Sequence, residues 1–396
     1  MKISVVGGSI GGLTAGLLLR DAGHDVRVFE RSPSELAQRG AGIGLLPETS
    51  RYLTECAGVD IDDISIATSH IRYLSADNSI LHEEKHNYRF SSWNTIYRQL
   101  LSCMKPNDYV LDHGMTGWSD VDATEVTITF SNGKTQTSDL VVFADGVNSL
   151  ARATLLPGAT PRYAGYVAWR GMVHETELSA DTRTLLDDAI TYFVYPNSHI
   201  LVYPIPGLEG ETVPGQRLFN FVWYRNYSTG GPLEDLLTDI SGVQREVSLP
   251  PGAVAPHHVA EMQTHAKAHL PAAIAELIVK TQQPFIQVVF DLTIDHMAFG
   301  RTCLLGDAAN LGRPHAAAGT AKAADDAWAL TDALTRNDDL LTALREYEKS
   351  QLAVGHQLIE RTELIGRRSQ FENSWVPGDP DLIFGLKAPG LSLIHI

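Results

Sequence analysis

The chain has 396 residues, 44% of them hydrophobic and 20% charged, and 31 basic against 47 acidic side chains give a formal net charge of −16. That balance excludes a disordered or fibrous protein and fits two or three domains with cores of their own. The negative excess makes nucleic acid or an anionic membrane surface a poor partner, and Cys56, Cys103 and Cys303 form no zinc pattern and suit a reducing cytoplasm.

Lys2 to Val6 reads as a buried strand, Gly12 to Asp21 as a helix with Leu13, Leu17 and Leu18 on one face, and Asp25 to Phe29 as a second strand. The uncharged run from Ile3 to Leu19 carries five glycines, which makes it a poor secretory helix or membrane span. Strand, glycine turn, helix and strand form a βαβ opening, which predicts a parallel sheet. The turn is Gly7-Gly8-Ser9-Ile10-Gly11-Gly12. A dinucleotide fold needs a tight turn, a close backbone approach and close helix packing at this place, so that a pyrophosphate rests on the helix N-terminus. Ser9 stands at the middle glycine of that fingerprint, where its hydroxyl can itself bond a phosphate. Glu30, eighteen residues past Gly12, closes the second strand, where a carboxylate accepts from ribose hydroxyls.

Farther on, Asp139 to Asp145 is an apolar strand ending in Asp145-Gly146. This places a carboxylate at the ligand-binding edge of an open α/β sheet; taken alone, it reads as a strand and an Asp-Gly turn. Tyr163 to Val173, Thr191 to Tyr195, Ile200 to Ile205 and Leu218 to Tyr224 are aromatic, β-rich runs that predict a separate, largely antiparallel sheet. Glu261, His265 and His269 fit a solvated helix face better than a metal site. After Pro284 a strand pair is expected, Phe285 to Thr293 with Arg301 to Leu305. The chain then reads as helical to about Phe371, with Leu341, Leu344, Tyr347 and Leu352 as a packing stripe. Within this stretch Gly306-Asp307 ends a buried strand, and a helix opens near Gly319 after Pro314 and His315, its N-terminus carrying about half a positive charge. No P-loop is found, which argues against kinase chemistry.

These three motifs, in this order, resemble the fingerprints of the single-component FAD-dependent aromatic hydroxylases, the class A flavoprotein monooxygenases. Val5 to Ile10, Ala164 to Gly171, Tyr203 to Gly207, Arg313 to Gly319 and Pro377 to Pro380 extend the likeness, along nearly the whole chain, to members acting on hydroxylated pyridines. The resemblance implies an α/β fold. Its Rossmann-like FAD-binding domain, of the glutathione reductase and p-hydroxybenzoate hydroxylase type, would comprise residues 1–70, 91–165 and 285–335. An inserted, mainly antiparallel substrate domain would comprise 71–90 and 166–284, followed by a C-terminal helical segment and tail, 336–396.

It also implies the cofactor residues. Gly7, Gly8, Ser9, Ile10 and Gly12 would meet the pyrophosphate, Glu30 and Arg31 the adenosine ribose, and the Met115 backbone the adenine. Gly42, Ile43 and Gly44 would pass along the flavin, Gly306 and Asp307 would meet the ribityl chain, and Ala317, Ala318, Gly319 and Thr320 the flavin ring. Asp145 belongs to the motif linked with both FAD and NAD(P)H. Many members carry an arginine where Trp93 stands, which leaves nearby Arg98 as the candidate for cofactor or nicotinamide contact.

Such an enzyme would use NADH or NADPH and O2 to hydroxylate a small aromatic ring through a flavin C4a-hydroperoxide, with 2,6-dihydroxypyridine at C3 as the specific expectation. His315, next to Pro314 and titrating near neutrality, is the first candidate to take the substrate proton, although a histidine satisfied within a tight loop reads equally well. Tyr192, Tyr203 and Tyr224 are candidates to bond the ring. The alternatives are a hydroxylase of a hydroxynicotinate- or salicylate-type acid, for which the pocket strands offer only Arg170 and Arg225, a non-oxygenating flavin protein, and a nicotinamide dehydrogenase. A cytoplasmic homodimer is expected, with neither a metal, a nucleic acid nor a membrane as partner.

Overall fold

The computed structural model describes residues 1–36, 41–120 and 124–390. The closing residues 391–396, to which the sequence gives no reading, lie outside them. Three sheets organise the chain. The first runs in the order β17 (Ala298–Phe299), β18 (Thr302–Leu304), β10 (Leu140–Phe143), β1 (Lys2–Val6), β2 (Asp25–Phe29) and β6 (Tyr109–Val110). It is parallel except for its β17 edge. β1 is buried at every position after Lys2 and β10 at all four, as strands covered on both faces require.

The helix of the βαβ opening spans Ile10–Asp21, two residues longer than the sequence suggests, and is buried around most of its circumference rather than on one stripe. The reason is its position between the parallel sheet and the helices Trp93–Ser102 and Gly319–Arg336. Gly7 has φ +110°, and a Cβ there would stand 2.1 Å from the Ala144 carbonyl oxygen, so only glycine passes between β1 and β10.

The second sheet has nine strands: β15 (Ser248–Leu249), β16 (Phe285–Asp291), β11 (Arg162–His174), β14 (Leu218–Asn226), β13 (Ser198–Ile205), β12 (Ala189–Tyr195), β4 (Ile66–Leu74), β5 (Ile80–Ser92) and β3 (Gly42–Gly44). All its pairings are antiparallel except β12 with β4. The aromatic runs are therefore one sheet. The expected strand pair after Pro284 is corrected: β16 pairs with β11 in the nine-stranded sheet, whereas Thr302–Leu304 joins the six-stranded one. Both segments are apolar, and nothing local in the sequence says which sheet each completes.

Side chains alternate across this sheet. Phe219, Phe221 and Trp223 enter a core shared with the helices Pro256–His269 and Ala272–Lys280, while Leu218, Val222 and Tyr224 enter a second core on the opposite face. A third sheet, β7 (Met115–Asp120), β8 (Val126–Phe130) and β9 (Thr135–Ser138), was not anticipated; its Thr-rich strands are short and partly exposed. Helices Gly319–Arg336 and Leu340–Gln370 close the fold. Leu341 is exposed, and Leu340 and Ala343 take its place in the buried stripe with Leu344 and Tyr347. Among the described residues no helix is long and apolar enough to cross a membrane.

Candidate active site

A cleft of about 390 Å³ runs between the two large sheets. One wall is main chain and small side chains: Ser9, Ile10, Gly11, Gly12, Gly146, Gly306, Ala317, Ala318, Gly319 and Thr320. The facing wall comes from the nine-stranded sheet, chiefly Ala168, Arg170, Leu201, Tyr203, Val222, Tyr224 and Gln287. Gly42, Ile43 and Gly44 close one side, with Trp93, Pro314 and Asp307 also on the surface.

On the small-residue wall, Ser9 holds the N-cap position of the first helix without using its side chain to cap it, so its hydroxyl and the first helical amides remain for an anion. Glu30 is buried and accepts from the amides of Gly8 and Ser32, each at 2.9 Å, which fixes its carboxylate beside the turn. The Gly306 turn is held by Asp326, which accepts the Gly306 amide at 2.8 Å and pairs with buried Lys322. Arg152, 3% exposed, ties the two acidic loops together by donating to the carbonyls of Val147, Asp307 and Ala308.

Asp307 is exposed to the open volume of the cleft, with the rest of the loop packed beneath it. Desolvation raises its carboxyl to about 6, with Arg152 opposing. Desolvation also raises Asp145. Its Oδ2 accepts from the Ala151 amide at 3.4 Å, and its buried Oδ1 has no hydrogen-bond partner among the described residues. An elongated group with hydroxyls and a pyrophosphate fits this wall: the glycines and alanines leave room, the start of the first helix supplies amides, and Asp307 supplies an acceptor, while Asp145 stands just behind the lining residues Ala144 and Gly146.

On the sheet wall, register sets the rows. Met172, Asn220 and Tyr203 are adjacent across three strands, then Arg170, Val222 and Leu201, then Ala168, Tyr224 and His199. Arg170 donates to the Gly42 carbonyl and, at 3.2 Å, to Gln287 Oε1. Asn220 Oδ1 accepts the Gly42 amide at 3.0 Å. A Cβ at Gly42 would lie 2.7 Å from Asn220 Cγ and 2.8 Å from Tyr203 Cε2, so the strand reaches the sheet only as glycine. Burial pushes the Tyr203 and Tyr224 phenols up, and Tyr203 stacks on Phe90 with ring centres 4.2 Å apart.

Several sequence candidates stand elsewhere. Tyr192 is buried away from the cleft surface and stacks on Tyr73 at 5.1 Å. Arg98 is exposed and paired with Glu209 at 3.0 Å, while Trp93 lines the cleft and stacks on Tyr97. Arg31 is exposed, and Met115 opens β7 outside the cleft lining. Arg225 is engaged by both carboxylate oxygens of Glu261, which leaves Arg170 as the one of the two arginines in the cleft. His315 is buried behind Pro314 rather than on the surface. Sequence reading missed Asn220 and Gln287. Stepping by two from Tyr224 reaches Asn220, but the pairing of β16 with β11 that brings in Gln287 has no local signal.

Residues 163–291 match a family described as FAD binding domain-like. The chain is 40% identical over 387 residues to 2,6-dihydroxypyridine 3-monooxygenase of Paenarthrobacter nicotinovorans, covering 97% of this chain and 96% of that one. It is 26% identical to 6-hydroxynicotinate 3-monooxygenase of Bordetella bronchiseptica, over 97% and 94% of the two chains. Among solved structures it superposes on 2,6-dihydroxypyridine-3-hydroxylase from Arthrobacter nicotinovorans with a TM-score of 0.92, at 37% identity and 99% and 98% coverage.

Proposed function

The chain belongs to the family of FAD-dependent aromatic hydroxylases that includes 2,6-dihydroxypyridine 3-monooxygenase, and from that premise we propose that it hydroxylates a small hydroxylated N-heteroaromatic, specifically 2,6-dihydroxypyridine at C3. The observation that carries this reading is the single cleft joining the glycine turn to the polar row of the nine-stranded sheet. Arg170, the arginine in that cleft, is already committed to Gly42 and Gln287, which favours a ring without a carboxylate over a hydroxynicotinate or salicylate.

FAD, reduced by NADH or NADPH, supplies the redox chemistry that activates oxygen when bound. In this reading the Ser9 hydroxyl and the amides at Ile10 and Gly12 hold its pyrophosphate, Gly7 and Gly8, whose own amides are taken by Phe29 and Glu30, leave it room, and Glu30 and Arg31 hold its ribose, with Met115 near the adenine. Asp145, Gly306 and Asp307 take its hydroxyls. Gly42 to Gly44 and Ala317 to Thr320 flank its ring. The cleft wall of Leu201 and Val222 keeps water from the reacting ring. Tyr203 and Tyr224, whose phenols burial keeps protonated, orient the substrate's oxygens by donating to them. The domain division given by the resemblance belongs to the same reading, with β16 counted with the substrate sheet, as do a homodimer and a cytoplasmic setting.

The test is NADH and NADPH oxidation by the FAD-loaded protein with and without 2,6-dihydroxypyridine, with the product weighed. Substrate-stimulated oxidation and a product one oxygen heavier are expected. Bound flavin with no stimulation would overturn the substrate, and a protein that binds no flavin would overturn the whole reading.

A further inference from the structure

Behind the polar row lies a chain of buried groups that the reading above leaves without a task. Arg313 donates to Asp291 through Nε and Nη2, both at 2.8 Å, and through Nη1 to the Tyr166 hydroxyl at 3.4 Å. That hydroxyl lies 2.7 Å from His315 Nε2. A guanidinium has only donors, so the Tyr166 oxygen accepts from Arg313, and His315 Nε2 is the one acceptor among the described residues that its proton reaches; the direction that satisfies the buried phenol has Tyr166 donating to Nε2. With Nε2 accepting, the imidazole carries its proton on Nδ1.

His315 is held neutral: burial lowers its pKa well below the usual histidine value, with His199 and Arg313 adding to the effect. The residue is 5% exposed, and its Nδ1 is buried with no hydrogen-bond partner among the described residues. A stranded donor of this kind is costly unless something completes it.

It stands directly behind the end of the cleft, and its neighbours supply the lining there. Pro314 and Ala317, either side of it in the loop, line the cleft. So does Tyr224, whose ring centre is 4.7 Å from that of His315. Tyr166 alternates with Ala168 and Arg170 along β11, both cleft residues, and so shares their face. His199, 5.3 Å from His315 between ring centres, is next to Tyr224 in the same row.

We infer that His315 Nδ1–H is a fixed hydrogen-bond donor for an acceptor oxygen on the substrate ring, and that Tyr166 is the positioning residue that locks this tautomer. The inference rests on the proposed substrate class and sharpens it: the ring must present a carbonyl or deprotonated hydroxyl at that end. His315 then recognises an oxygen instead of taking a proton, which reverses the role expected from its place in the sequence.

Two replacements separate recognition from packing. In His315→Asn the amide nitrogen stands near the place of Nδ1, whereas in His315→Gln the amide oxygen reaches the place of Nε2 and keeps accepting from Tyr166. His315→Asn is expected to keep the KM for 2,6-dihydroxypyridine within about threefold, and His315→Gln to raise it about tenfold or more, with equal FAD content in both. A purely structural histidine would give the opposite order, and that order overturns the inference. Nitrogen NMR of histidine-labelled, FAD-loaded enzyme reads the tautomer directly. An Nδ1–H signal in the wild type, redistributed between tautomers in Tyr166→Phe, is expected; an Nε2–H or doubly protonated His315 overturns the lock. If the wild type does not turn over 2,6-dihydroxypyridine, the substrate reading fails by itself while the tautomer measurement still decides the lock.

Discussion

On one side of the cleft Ser9, Gly12, Gly146 and Gly306 present main chain to whatever lies between the sheets, and on the other Arg170, Tyr203, Tyr224 and Gln287 present side chains. The first wall is fixed locally: a turn, a helix N-terminus and two acidic loops, each within a few residues of sequence. The second is fixed by register among β16, β11, β14 and β13, strands drawn from residues 162 to 291. The contrast teaches that a wall for a common cofactor can be specified by backbone, whereas a wall for a particular ring depends on long-range pairing, where one substitution changes recognition without disturbing the cofactor.

The largest expected effect strikes the buried support of the sheet wall. Arg313→Met leaves Asp291, 3% exposed, with the solvent-exposed Arg162 at 3.5 Å as its one remaining cation among the described residues; breaking a buried pair in this way should cost about 3–5 kcal/mol, read as a lower denaturant midpoint. An unchanged midpoint would mean that the pair does not brace the wall.

On the opposite wall, Gly7→Ala puts a Cβ against the Ala144 carbonyl at a positive φ. A loss of about 3 kcal/mol in stability or FAD retention is expected, visible as missing flavin absorbance after purification. Full flavin content would show that the turn tolerates a side chain and that backbone does not set this wall.

Asp307 sharpens the comparison through pH. Its folded pKa, about 6, lies above the ordinary carboxylate value, so ionising it destabilises the folded apoprotein: its contribution to stability is fullest at low pH and falls as pH rises through about 6. FAD hydroxyls need the ionised acceptor, so FAD affinity should rise over the same interval and then level off. Asp307→Asn should abolish that rise and weaken FAD binding about tenfold above it. A pH-independent affinity in the wild type would contradict the assignment.

The smallest effect is expected at Arg98. Its ion pair with Glu209 is exposed on both sides and is worth about 1 kcal/mol or less, so Arg98→Ala should leave flavin content and KM unchanged. A marked loss of FAD would bring Arg98 back to the cofactor wall.

The same division governs how much could be read in advance. Gly7 to Gly12, Glu30, Asp145 and Gly306-Asp307 stand at the strand-to-helix turn and strand ends where the sequence puts them, because turn chemistry and strand ends are written in neighbouring residues. The four aromatic strands were legible as strands, but not their order or the sheet that Phe285–Asp291 joins. Tyr192 and Tyr203 look alike in sequence. One stacks in the core against Tyr73 and the other faces the cleft, because β12 and β13 sit differently over it. The place of His315 next to Pro314 is local in the sequence, whereas its contact with Tyr166, 149 residues away, is not.

The central claim is that the two walls hold cofactor and ring in one cleft. An anaerobic titration of the FAD-loaded protein with 2,6-dihydroxypyridine, followed in the flavin absorption band, tests it most directly. A saturable perturbation of the band at one ring per flavin is expected, since a ring bound against Tyr203 and Tyr224 faces the loop that flanks the flavin. Tight binding measured by calorimetry that leaves the band unchanged would place the ring elsewhere and contradict the claim.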